Sequence, residues 1–147
     1  MSAMQRLFSS FTLRGKVLRN RIASTGHQTY LARDHKPGAD MIAYHEARAR
    51  GGAGLIIVES ARFHESSFAD APDLHIHTDD AIPAFAELAA AIHREGALVF
   101  GQLSHSGRVS RRMRNGLRDV TYAPSAVADN RFHTTPRAMP EDLVQEL

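Results

Sequence analysis

The chain has 147 residues, 43% of them hydrophobic, with 18 basic and 16 acidic side chains and a formal net charge of +2. That is the length of one ordinary domain with enough apolar mass for a core, which excludes a disordered chain. There is no Cys, which excludes disulfides, thiolate nucleophiles and Cys-ligated metal or iron–sulfur sites.

No run approaches the roughly 18 apolar residues of a membrane span, and "MSAMQRLFSSF" lacks the apolar stretch of a signal peptide. A cytoplasmic protein is the expectation. The charge is uneven: residues 106–137 hold seven Arg against Asp119 and Asp129, whereas residues 1–105 balance.

In chain order, "FTLRGKVL" reads as a hairpin turning at Arg14-Gly15. "VLRNRIAS", Val17 to Ser24, reads as the first buried strand. Asp40 is placed to cap a helix over "MIAYHEARAR", which Gly51 and Gly52 stop. "GLIIVES", Gly54 to Ser60, is a continuous apolar run of the kind found where both faces of a parallel sheet are covered. The clearest helix is "DDAIPAFAELAAAIHREG", with Asp79 or Asp80 as cap and Pro83 in its first turn. Its apolar face is Ile82, Phe85, Leu88 and Ile92, and Gly96 ends it. "ALVFGQL", Ala97 to Leu103, is the third strand. A long Arg-rich loop and a poorly capped helix starting near Met139-Pro140 complete the chain.

The order βαβαβ predicts a parallel sheet with right-handed crossovers. A doubly wound sheet and the opening of a (β/α)8 barrel both fit, and both place function at the C-terminal strand ends. Those ends are Ser24 to Gln28, Glu59-Ser60 and Gln102 to His105, all polar. Three polar strand ends that converge form a candidate site.

Several other features read as structural. "GGAGLI" precedes its strand, whereas a phosphate cradle follows one, so it is a helix terminator. His64, His75, His77 and Asp79 or Asp80 meet the spacing of a metal site only loosely, and no metal is expected there. "RVSRRMRNGLR" holds five Arg in eleven residues but no aromatic stacking partners. A solvated loop accounts for it first and a surface steering anionic substrates second; nucleic acid is not an expected partner.

The stretches "LFSSFTLRGKVLRNRI", "TGHQTY", "RGGAGLIIVES", "GQLSHSGR" and "YAPSAV" follow one another as in the Old Yellow Enzyme family of FMN-dependent NAD(P)H:flavin oxidoreductases. The chain resembles the N-terminal part of that family over nearly its whole length, and His27 resembles the branch containing 2,4-dienoyl-CoA reductases and trimethylamine dehydrogenase. The resemblance implies a TIM (β/α)8 barrel, of which residues 1–147 are about three βα units with a short N-terminal β-hairpin. It implies FMN as cofactor, NAD(P)H as reductant and an activated alkene, possible as a CoA thioester, as the small-molecule substrate.

By position, Thr25, Gly26, His27 and Gln28 would line one face and edge of the isoalloxazine. Ser60 and Gln102 would meet its pyrimidine edge. A primary amide suits an edge that alternates carbonyls with an N–H, because it both donates and accepts. Tyr30, His105 and Arg108 are the substrate-side candidates. Gln28 stands where the family often has Thr or Cys, and Gly26 where it often has Pro or a small residue. A complete barrel takes about 250 residues, and the family's substrate-holding His/Asn pair, Tyr proton donor and phosphate-binding end lie beyond residue 147. The expectation is therefore an N-terminal fragment, inactive alone, or a segment that binds FMN once another polypeptide completes the barrel.

Overall fold

The structure, a computed structural model, describes residues 2–147. Helix α1 (Ala3–Leu7) opens with a capping box between Ser2 and Gln5. The hairpin follows as β1 (Phe11–Leu13) and β2 (Lys16–Leu18), paired antiparallel. Arg14 and Gly15 both take positive φ, 45° and 80°, the two-residue turn that matches strand twist.

The expected first strand is shorter than its apolar pattern suggests. Leu18 belongs to the hairpin, and only Ala23–Ser24 forms β3. Between them the chain turns: Asn20 accepts from the Ile22 N–H at 3.0 Å and donates to the Gly52 carbonyl at 2.7 Å. A Cβ on Gly54 would lie 2.7 Å from Asn20 Oδ1 and 3.0 Å from its carbonyl, so this close approach needs glycine. Arg19 donates to the carbonyls of Glu95 (2.7 Å), Ala53 (2.8 Å) and Ala49, joining the ends of both long helices.

Helix α2 (Ala39–Arg50) starts at Gly38, with Asp40 inside its first turn and not at the cap. Strand β4 (Leu55–Arg62) is the centre of the sheet. Two-residue strand β5 (Leu74–His75) was not legible in the sequence. Helix α3 (Ile82–Arg94) follows a 3₁₀ turn over Asp79–Ala81, so neither aspartate caps it. Asp80 instead pairs with Lys36 Nζ at 2.5 Å. Strand β6 (Leu98–Ser104) closes the βαβαβ order.

All four sheet strands are parallel. β6 runs along one whole edge of β4; β3 and β5 share the other, pairing Ala23 with Leu55 and Ala61 with Leu74. The β4–β6 register shifts between Ile57 and Ser60, where β4 carries one extra residue before Ser60 faces Gln102. This bulge lies at the strand end expected to hold the site.

Met41 and Ala49 of α2, Ile56 and Val58 of β4, and Leu88 and Ile92 of α3 form the core. Ile82, expected on the apolar face, is 60% exposed, and Ala91 is buried on that face. The Arg-rich loop is more ordered than expected: β7 (Met113–Arg114) and β8 (Leu117–Arg118) form a hairpin about Asn115-Gly116, both with positive φ. β9 (Tyr122–Ala123) pairs with β10 (Arg137–Ala138), and α4 (Glu141–Glu146) starts at Pro140 without a side-chain cap, as expected. Among the described residues no helix is long and apolar enough to cross a membrane.

Candidate functional site

At the bulge, the end of β4 presents Glu59 and Ser60 to different neighbours. Glu59, buried, points to the β3 side. Its Oε2 accepts from the Thr29 N–H at 2.7 Å and from the Thr29 hydroxyl, and its Oε1 accepts from Gln28 Nε2 at 3.3 Å. One carboxylate thus fixes the segment that follows β3, a charge-assisted hold stronger than neutral bonds would give. The sequence offered a signal, an acid inside "IIVES", but no hint of its partners.

Ser60 faces Gln102 across the β4–β6 ladder. The Gln102 side chain reaches past β4 to Gly26 after β3: a Cβ on Gly26 would lie 2.7 Å from Gln102 Oε1 and 3.1 Å from the Val58 carbonyl. Gly26 therefore leaves the space that the amide occupies. Gln102 is exposed, and its amide makes no hydrogen bond to protein among the described residues. The structure brings Gly26, Gln28, Ser60 and Gln102 together at one end of three parallel strands, with Thr25 exposed beside them.

His27 is differently engaged. Its Nδ1 donates to the Thr25 carbonyl at 2.9 Å, which leaves Nε2 to accept from the Tyr44 hydroxyl on α2. Both ring nitrogens are committed to protein. Tyr30 is exposed, with a positive φ of 59°. Arg108 donates to the Val127 and Ala128 carbonyls at 3.4 and 3.3 Å.

His105 belongs to a relay. The Gly107 N–H donates to its Nδ1 at 3.0 Å, so Nε2 carries the proton and donates to Ser66 Oγ at 2.8 Å. Ser66 in turn donates to His64 Nδ1 at 2.8 Å. Burial, then the neighbouring His64 and Arg62, hold His105 below the usual histidine range. His64 and Ser66 line a cleft of about 400 Å³ with Arg112, Tyr122 and Glu146. Among the described residues, none of the three substrate-side candidates hydrogen-bonds to Gln102.

A profile of the NADH:flavin oxidoreductase / NADH oxidase family matches residues 6–147. The chain belongs to this family. Among its relatives in the NADH:flavin oxidoreductase family, an NADPH dehydrogenase of Halalkalibacterium halodurans is 35% identical over 143 residues, covering 96% of this chain and 40% of that protein. An NADH oxidase of Thermoanaerobacter brockii is 35% identical over 150 residues, covering all of this chain and 23% of that protein. The solved structure of morphinone reductase in complex with tetrahydroNAD matches 95% of the chain and 42% of its own, with a TM-score of 0.84 and 26% identity. The Old Yellow Enzyme homologue from Zymomonas mobilis matches at a TM-score of 0.81 and 27% identity, over 95% of this chain and 41% of its own. The fold is accordingly part of a (β/α)8 barrel, and the chain spans about two-fifths of the first of these relatives. None of these matches singles out the dienoyl-CoA reductase branch.

FMN is the cofactor that the family implies, and the residues present fit it. The exposed amide of Gln102, the hydroxyl of Ser60 opposite it and the side-chain-free wall at Gly26 make a polar edge that can both donate and accept.

Proposed function

We propose that this chain forms the flavin-holding N-terminal part of an FMN-dependent NAD(P)H oxidoreductase. The observation that carries the reading is the placement of the Gln102 amide, exposed at the end of β6, against Gly26 and in register with Ser60. Exposed at the strand end, this amide is free to donate and accept at the pyrimidine edge of the flavin, which alternates carbonyls with an N–H. When bound, FMN supplies the hydride relay from NAD(P)H to an activated, α,β-unsaturated acceptor.

The protein's own contribution is positional. Gln102 donates and accepts at the ring edge, Ser60 adds a hydroxyl beside it, and the backbone of Thr25 to Gln28 lines the ring. Glu59 keeps that backbone in place through Thr29 and Gln28. His27, held by Tyr44, supplies a fixed wall, and it alone favours the branch with 2,4-dienoyl-CoA reductases. The exposed Arg-rich stretch after Gly107 suits an anionic acceptor such as a CoA thioester. Further strands, in the same polypeptide or a partner chain, complete the barrel between the β6 and β3 edges. The reaction suits the cytoplasm, where reduced nicotinamide is available.

The test joins this chain to the part of the Halalkalibacterium NADPH dehydrogenase that lies beyond the match. After incubation with FMN and desalting, the chimera retains one flavin per chain by visible absorption, and Gln102→Ala lowers retention roughly tenfold, the loss of about one charge-free but well-placed hydrogen-bond pair. A folded chimera without colour, or a Gln102→Ala form that holds flavin as well, overturns the reading.

A further inference from the structure

The loops after β3 and β4 meet at a cluster that the flavin reading does not use. His35 comes from the first loop; Asp73 precedes and His75 ends β5 in the second connection, 38 and 40 positions further on. His75 Nε2 lies 3.1 Å from Asp73 Oδ1, and His35 Nδ1 lies 3.5 Å from the same oxygen. The three donor atoms all fall within 4.8 Å of one another. We propose that His35, Asp73 and His75 form a binding site for one divalent ion of the zinc class.

The spacing is the first support. Zinc bonds of 2.0–2.1 Å in a tetrahedral arrangement separate neighbouring ligand atoms by roughly 3.3 Å, close to the two separations measured to Asp73 Oδ1. The second support is the surrounding hold. Asp73 is 2% exposed, and its other oxygen, Oδ2, accepts from Arg62 Nε at 3.0 Å. The same guanidinium donates to Ser104 at 2.8 Å, so the carboxylate is fixed to both β4 and β6 while Oδ1 faces the imidazoles. Outer partners of this kind orient metal ligands.

His75 is clamped. Its ring stacks on Phe68 at 3.7 Å and on His35 at 3.9 Å, and its backbone N–H donates to the His35 carbonyl at 2.9 Å. The His35 and His75 rings are parallel within 4°, so closing on one ion requires His35 to tilt. His35 has that freedom, with a side chain 45% exposed. A cavity of about 150 Å³ lined by His35, His75, His77 and Asp80 adjoins the cluster, leaving a fourth position for water or His77.

The test is a calorimetric titration of the full chain, stripped with EDTA and desalted, with Zn²⁺ alone, and a visible spectrum with Co²⁺ alone. The expected result is saturation at one ion per chain and tetrahedral Co²⁺ bands. His35→Ala weakens binding by roughly tenfold or more, whereas His133→Ala, an exposed and remote control, leaves it unchanged. Thermal unfolding checks that each variant folds; should His75→Ala fail, the exposed His35→Ala decides alone. Absence of saturable binding, uptake spread over many weak sites, or a folded His35→Ala that binds like the wild type overturns the proposal.

Discussion

Strands β4 and β6 look alike as sequence, "LIIVES" and "LVFGQL", yet they live in different surroundings. β4 is covered on both edges and carries Ile56, Val58 and Glu59 in full burial. β6 pairs with β4 alone among the described residues, and its Leu103 is 70% exposed and Phe100 40%. An apolar run therefore encodes the burial of a complete sheet, and the neighbour that delivers it is a separate requirement. The contrast also separates the two halves of the candidate site: Glu59 is buried and held by protein, whereas Gln102, on the less covered strand, faces solvent.

Mutations on the two strands can break this comparison. Ile56→Ala should destabilise the chain most, by about 4 kcal/mol, from lost burial and the cavity left behind. Urea unfolding measures it. The same truncation at Leu103 should change stability by less than about 0.5 kcal/mol. Equal effects at the two positions would mean that β6 is covered in solution by something the fold does not supply.

The acid response sharpens the comparison on the β4 side. His45, on the helix packed against β4, is buried with no partner for either ring nitrogen. Burial, aided by Arg48 and His27, lowers its pKa to about 4. Below the ordinary histidine value the unfolded chain takes up a proton that the folded chain refuses. Stability should therefore fall from about pH 6.5 and lose on the order of 3 kcal/mol by pH 4. Urea midpoints across that window for the wild type and His45→Gln test this, since the variant should lose that part of the slope.

A smaller effect belongs to Glu59. Glu59→Gln keeps the shape but removes the charge from the bonds to Thr29, and should cost about 1–2 kcal/mol. Faster amide exchange at Thr29 would accompany it. An unchanged Thr29 would mean that the segment after β3 is held by its neighbours and not by the carboxylate.

Much of this was legible in advance. The Arg14-Gly15 turn, both long helices, and the second and third strands follow from local chemistry and periodicity. Asn115-Gly116 carried an equally local hairpin signal, hidden by the arginines around it. What could not be read depended on partners distant in sequence. The β4 bulge exists only in register with β6, and Glu59 finds Thr29 only after folding. His35 and Asp73 meet across 38 residues. Asp40 looked like a cap because its type is right; Gly38 holds the position because the chain enters the helix earlier. Of the site, the strand-end residues were legible as polar interruptions of apolar runs, but the reach of Gln102 to Gly26 was not.

The turn at Arg19 has a consequence in time. Its guanidinium holds the carbonyls of Ala49 and Ala53 and, 76 residues away, that of Glu95. A ribosome adding about 5–20 residues per second produces the last of these roughly 4–15 s after the arginine itself. During that interval the nascent turn can fasten α2 alone. Arrival of Glu95 brings the second helix into the same grip, so this one side chain marks when the two units cease to be separate.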